Sequence, residues 1–210
     1  MEIEQIRPHL WHWATPHPEW TPGNRGKSGL GWDELVSSYA LVADDTFVLI
    51  DPQVPTDESD AAELWKALDA DVEHHGPPAI LITIRWHVRS APEIAGRYEG
   101  TTIWAPESQA NEIAKRVTYT DTFTTGDELP GGIRAHDLVR FDEAVLELPA
   151  HRALLFGDAV LDGPRLCPPS WLPKGTTIEE LAAEIRPLLD GNELLLLTHG
   201  GPTAAADLEV

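Results

Sequence analysis

One α/β domain is what this sequence predicts, and three observations predict it. Its 210 residues suffice for one substantial core and are few for two. Short apolar runs recur along the chain. The run Ile80, Leu81, Ile82 and Ile84, set between Pro77-Pro78 and a polar segment, is how a strand buried on both faces reads. Stretches with apolar residues at helical spacing alternate with these runs, Thr56–Ala70 and Thr177–Leu189 among them.

Composition narrows the function classes. Hydrophobic residues make up 42%, ordinary for a globular protein and too many for wholesale disorder. Acidic residues outnumber basic ones 35 to 15, a formal charge of −20 that repels a phosphate backbone or an anionic membrane. No nucleic acid or membrane partner is expected, and a small molecule is. Cys167 is the lone cysteine, which excludes an intrachain disulfide and a thiolate zinc cluster. The start of the chain lacks a basic then apolar leader, and no run of about 18 apolar residues occurs. A soluble, cytoplasmic protein is therefore expected, with the many tryptophans as able to cover a homo-oligomer interface as a pocket.

Residues 3–14 open with a short strand. Thr15–Gly23 carries Pro16, Pro18 and Pro22, which remove donors and push the preceding residues out of the helical region, so a loop is expected. Trp11, Trp13, Trp20 and Trp32, with His12 and His17, either pin this irregular segment to the body or wall a pocket. Gly23–Gly31, with four glycines, reads as the tip of that loop. Strands at Ser37–Val42 and Thr46–Ile50 follow, joined by a hairpin-like turn at Ala43–Asp45. Thr56–Ala70 reads as a helix with Ala61, Leu64, Trp65 and Leu68 on one face and acids in its first turn. His74 and His75, in the connector Asp71–Pro78, do not share a face and make a poor metal pair. The central apolar run passes through Arg85-Trp86-His87-Val88-Arg89 into a helix whose start has the Ser90-x-x-Glu93 spacing of a capping box. Next come a strand at Thr101–Trp104, a helix at Ser108–Arg116, a strand or loop at Thr118–Thr125 and a turn at Gly126–Gly132. Strands at Ile133–Leu138, Ala144–Leu148 and Ala153–Phe156 follow. Gly163–Gly175, with four prolines, is a long loop before the helix Thr177–Leu189. The strand Glu193–Thr198 and a short polar tail end the chain.

Three apolar strands end in a residue able to ligate a metal or to act as acid or base: Asp51 after FVLI, Asp158 after ALLFG and His199 after LLLLT. A fourth, ILITIRW, is followed by His87. Strand ends of this kind gather on one rim of a sheet, where α/β folds place ligands. Two imidazoles and carboxylates without a thiolate suit a hydrolytic zinc, manganese or iron ion.

The order FVLIDP, a helix, ILITI-x-WH-x-RSA with its helix, LLFGDAV and LLLLTHGGP resembles the metallo-β-lactamase superfamily over nearly the whole chain. The resemblance implies a four-layer αββα sandwich of two mixed β-sheets, with a metal site along one sheet edge. It also implies that Asp51, Asp158 and His199 match the strand-end Asp, the metal-bridging Asp and the last metal-binding His. The family signature T-H-x-H-x-D-H is not intact. Ungapped, Thr83–Ser90 keeps no signature His or Asp; a shift of one residue matches His87 to the second His and sets Ser90 opposite the third. The family's G-H-T-P-G turn has no clear counterpart either, with Ala135-His136-Asp137 nearby and Arg140–Glu143 in its register. A standard two-metal site is not expected.

Three readings stay open at this point. A hydrolase has one zinc, manganese or iron ion on His87, Asp158 and His199, completed by His17 or His136. A metal-free site has Arg85 and Arg89 paired with Asp158 and Asp51, binding a small anionic ligand or a partner. A structural role leaves no ligand at all. The catalytic candidates are His87, Asp158, His199 and Asp51; the ligand-binding candidates are Arg85, Arg89, Trp86, Trp20 and His17.

Overall fold

The computed structural model describes residues 1–25 and 31–210. Two sheets stack face to face. The first holds β1 (Ile3–Arg7), β2 (Leu10–Pro16), β3 (Leu35–Ala43), β4 (Thr46–Ile50), β5 (Ala79–Leu81), β6 (Thr102–Pro106) and β7 (Asp121–Phe123) in chain order. It is antiparallel from β1 to β4 and parallel from β4 to β7. The second is built from β8 (Glu128–Leu129), β9 (Ile133–Leu138), β10 (Glu143–Leu148) and β11 (Ala153–Phe156), then, after a ribbon of β12 (Val160–Leu161) and β13 (Arg165–Leu166), β14 (Leu194–Leu197) and β15 (Gly201–Ala204). Its order is β15-β14-β11-β10-β9-β8, and β11 with β14 is its parallel pair.

Alternation along the strands explains the layers. In β4, Val48 and Ile50 face the core between the sheets, with Leu81, Leu146, Leu155 and Leu196, while Phe47 and Leu49 face the other way. That outer face is covered by α1 (Glu58–His75), α2 (Ala91–Arg97) and α3 (Ala110–Ile113), through Leu64, Leu68, Ile94 and Ile113. Likewise Leu154, Phe156, Leu195 and Leu197 of the second sheet pack under α4 (Ile178–Ile185) through Leu181 and Ile185. The result is helices, sheet, sheet, helix, with strands apolar on both faces because both faces are buried. No helix among the described residues is long and apolar enough to cross a membrane.

Local differences from expectation have local causes. Residues 3–16 form two strands, paired through a tight turn with His9 at φ 60°. Asp44 and Asp45 both take positive φ, the two-residue turn that suits the strand twist of the β3–β4 hairpin. Helix α1 runs five residues past Ala70, to His75, and is capped by Gly76, so His74 and His75 are helical. Ser90 does not close a capping box: its hydroxyl accepts the Val54 N–H at 2.9 Å and the Gln53 side chain at 3.2 Å instead. The tail contributes β15, paired with β14. Residues 26–30 of the expected glycine-rich tip lie outside the described residues.

Candidate metal centre

Strands from both sheets run out at a common rim, and the candidate residues stand there. At the end of β4, Asp51 turns into the left-handed region at φ 46°, which Asp tolerates better than most residues. Its carbonyl accepts the Ser38 hydroxyl and Arg89 Nη1, each at 2.9 Å. The carboxylate, fully buried, accepts the Thr83 N–H at 2.9 Å and the Thr83 hydroxyl. Its Oδ2 also lies 2.9 Å from His87 Nδ1. A proton on Nδ1 serves that contact and leaves Nε2 as the ring's ligating atom.

His87 Nε2 lies 3.2 Å from Asp158 Oδ1, and His199 Nε2 lies 3.0 Å from the same oxygen. Yet that buried oxygen has hydrogen-bond geometry to neither ring, and the buried His199 Nδ1 has no partner. One ligand atom from each of His87, Asp158 and His199 lies within 4.8 Å of the others. These atoms converge without bonding one another, and two imidazoles with one carboxylate are donors that zinc, manganese or iron accepts. The residues fit a single such ion.

The turn carrying Asp158 is built with equal care. Glu143, buried at the start of β10, accepts the backbone N–H groups of Gly157 at 2.9 Å, Asp158 at 2.5 Å and Ala159 at 2.9 Å. A Cβ on Gly157 would meet Thr83 Oγ1 at 2.7 Å, so only glycine fits between the Asp51–Thr83 pair and the Asp158 turn. His199 follows β14, whose end is gripped by the first sheet: Ser37 N–H donates to Thr198 O at 2.8 Å and Tyr39 OH to Leu197 O at 2.9 Å.

The electrostatics separate the two imidazoles. Burial and Arg89 oppose a proton on His87, but Asp158 and Asp51 outweigh them and raise its pKa. Burial lowers that of His199. Burial also opposes ionisation of Asp158, but the two rings prevail and hold its carboxyl well below the usual range. Burial and the Asp158 charge push the Glu143 carboxyl up to about 8, with the three N–H donors pulling back toward the carboxylate.

No guanidinium stands between the carboxylates. Arg85 pairs with Asp142 at 3.0 Å and with the Gln109 side chain, and Arg89 Nη1 donates to the carbonyls of Ser37 and Asp51. The expected pairing of the two arginines with the Asp158 and Asp51 carboxylates is not formed. Both residues leave the apolar run on the tight turn Arg85–Val88, which directs Arg85 outward and Arg89, at φ 41°, back beneath β3 and β4.

No family model matches the sequence, and no curated protein matches it. Solved structures do. DIM-1 metallo-β-lactamase exposed to ceftazidime superposes with a TM-score of 0.70 at 16% identity, over 98% of this chain and 91% of that one. FIM-1 from Pseudomonas aeruginosa, in its mono-zinc form, gives 0.68 at 10% identity over 98% and 90%. A metallo-β-lactamase family protein from Thermus thermophilus gives 0.66 at 17% over 97% and 77%. This chain has the metallo-β-lactamase fold. The four layers implied by the sequence resemblance are present.

A cavity of about 470 Å³ opens above the three ligand candidates, walled by Trp32, Trp86, Phe141 and Trp171, with Arg85 and Arg116 also on it. His17 lines it but supplies no atom to the ligand group, and its Nδ1 accepts the Glu19 N–H at 3.1 Å. Burial and Arg89 lower its pKa to about 4. Trp20 is not on the cavity wall; its indole N–H donates to Trp32 O at 3.2 Å, so it props the tryptophan that is. His136 sits on β9 paired with Glu147 at 2.9 Å, away from the ligand group. Buried Cys167 belongs to the core under α4, and burial pushes its thiol up to about 12, unsuited to a nucleophile.

Sequence reasoning missed Glu143, Arg116, Phe141 and Trp171. An acid opening the run EAVLEL was the available sign of Glu143, and the proline-rich loop Gly163–Gly175 the sign that its one aromatic, Trp171, serves the cavity. Arg116 and Phe141 carried no local sign.

Proposed function

We propose that this protein is a metal-dependent hydrolase of the metallo-β-lactamase fold, using one zinc, manganese or iron ion held by His87, Asp158 and His199 and acting on a small molecule. One observation carries the proposal: three ligand atoms from three separate chain segments converge within 4.8 Å without hydrogen-bonding one another. The mono-zinc form of FIM-1 supports it as a precedent for a single ion on this fold. A bound ion would supply Lewis acidity toward water and toward the carbonyl or phosphoryl oxygen of a substrate.

The chain's own residues do the rest. Asp51 orients His87, and Thr83 orients Asp51. Glu143 fixes the turn that presents Asp158. Trp32, Phe141 and Trp171 give the cavity an apolar wall for the non-reacting part of a small molecule. His17 is neutral near pH 7, and with Nδ1 accepting a backbone N–H its ring has an Nε2–H to donate at the cavity wall.

The test is a panel of 4-nitrophenyl esters, phosphoesters and lactams, run on chelator-stripped protein and after re-equilibration with zinc, manganese or iron. Turnover that appears only with an ion, and is lost in Asp158→Ala, is expected. Turnover indifferent to chelation, or none with any ion, contradicts the proposal.

A further inference from the structure

Resting on the reading of the site as hydrolytic, we propose that the cleft selects substrates carrying an anionic group, carboxylate or phosphate, beside a flat apolar moiety, the anionic group lying between Arg116 and Arg89. A second cavity of about 410 Å³ adjoins the first and shares His17, Glu19, Trp86, Arg89 and Arg116 with it. The two are arms of one cleft, and the arginines stand at the junction.

Arg89 is an unusual cation. Its Nη1 serves two carbonyls, but Nε and Nη2 are buried and have no acceptor. Desolvated guanidinium donors without acceptors are costly unless an anion comes near. In a chain with 35 acidic residues, counter-ions are plentiful, and Arg85 has one in Asp142. Among the described residues, neither Arg89 nor Arg116 has a carboxylate within ion-pair distance. Arg116 is instead steadied at the rim by long bonds to the carbonyls of Arg85 and Trp86, at 3.3 and 3.4 Å.

The flat apolar moiety is assigned to Trp86, 59% exposed at the rim with Arg85 stacked 5.0 Å from its ring centroid. An exposed aromatic with a cation on it is a platform for a planar group. Glu93 lines the second arm alone and disfavours an anion there, whereas Glu19 lines both arms. A molecular charge of −20 repels anions elsewhere, so the exposed Arg116, without an ion-pair partner among the described residues, defines where one is taken up. Arg89, whose charge Asp51 and Asp158 offset only through space, adds to it.

The test compares binding of 4-nitrobenzoate and its neutral isostere 4-nitrobenzamide to chelator-stripped protein, by tryptophan fluorescence and calorimetry. We expect the benzoate to bind at least about tenfold more tightly, in line with a charge-assisted contact. That preference should weaken in high salt, vanish in Arg116→Gln and partly survive in Arg116→Lys. No benzoate binding, equal binding of the pair, or an unchanged preference in Arg116→Gln overturns the assignment. Hydrolysis of mono-4-nitrophenyl succinate against 4-nitrophenyl acetate, with an ion restored, separates the two claims. A benzoate preference with neither ester turned over ends the hydrolase reading and leaves the anion site standing. Turnover with no preference for the succinate ends the anion site alone.

Discussion

Asp51 combines a positive φ, a fully buried carboxylate and contacts to both Thr83 and His87. Such a residue is costly to hold in place, and what it achieves is the aim of one imidazole. Replacing it by Asn keeps the shape but offers Oδ1 alone as acceptor, so either Thr83 or His87 loses its partner. Asp51→Asn should therefore weaken metal affinity about 10- to 100-fold, the usual effect of a lost partner behind a metal ligand, while the fold survives. Competitive titration with a chelating dye measures this; unchanged affinity would remove Asp51 from the site. Metal affinity should also depend on pH. Asp51 and Asp158 raise the pKa of His87, so an ion must displace its proton, and affinity should rise from pH 6 to pH 8 with proton release seen in calorimetry. Affinity flat across that range would contradict the assignment of His87 as a ligand. Asp51, His87, Asp158 and His199 were legible in the sequence because each follows an apolar run at a strand end. The partners of Arg85 and Arg89 were not legible, because a one-residue turn geometry decides whether a guanidinium faces the site or the carbonyls beneath it.

At the scale of elements, the turn after β11 is held by a side chain from β10. Glu143 accepts three backbone N–H groups, so Glu143→Ala leaves two buried donors and one half-buried donor without that acceptor. At roughly 1 kcal/mol or more for each donor, a loss of about 3 kcal/mol or more is expected in urea unfolding, together with loss of the ion. A variant as stable as the parent would show that the clamp is dispensable. Helices α1 and α4 and strands β9 and β11 were readable from their apolar patterns, but the helix ends were not: α1 runs on to His75, and α4 stops at Ile185, where Pro187 tightens Arg186–Leu189 into a 3-10 turn. The capping box at Ser90 was misread because its hydroxyl answers to Val54 across 36 residues, and β15 was hidden because GPTA has no strand pattern of its own and pairs only because β14 offers an edge. Long-range partners of this sort leave no local trace.

At the scale of the molecule, the two sheets meet along a seam that contains histidines held neutral. His12, bonded to Ser37 at 2.8 Å and beside β15, has its pKa lowered to about 4 by burial, as His17 has; burial lowers His151 and His199 too. An unfolded chain binds these protons near pH 6.5 and the folded one resists them, so the stability these histidines contribute is full above pH 6.5 and is lost as pH falls toward about 4. His87, and Glu143 with its carboxyl pushed up to about 8, work in the opposite sense. In metal-free protein His12→Gln should shift the balance of urea stability between pH 5 and pH 7.5 toward pH 5; a balance unchanged by the substitution would remove His12 from the account. The α/β class was legible from the alternation of apolar runs and helical stretches, and the four-layer plan only from the resemblance to the metallo-β-lactamase superfamily. The cavity was not, because its walls come from loops distant in sequence that only the stacking of the sheets brings together. Metal content is the measurement that tests the central claim most directly: protein stripped by chelation, re-equilibrated separately with zinc, manganese and iron, dialysed and assayed by elemental analysis. The account predicts about one ion per chain, absent from both Asp158→Ala and His199→Ala. No retained ion under any condition, or an ion that persists in both variants, would contradict it.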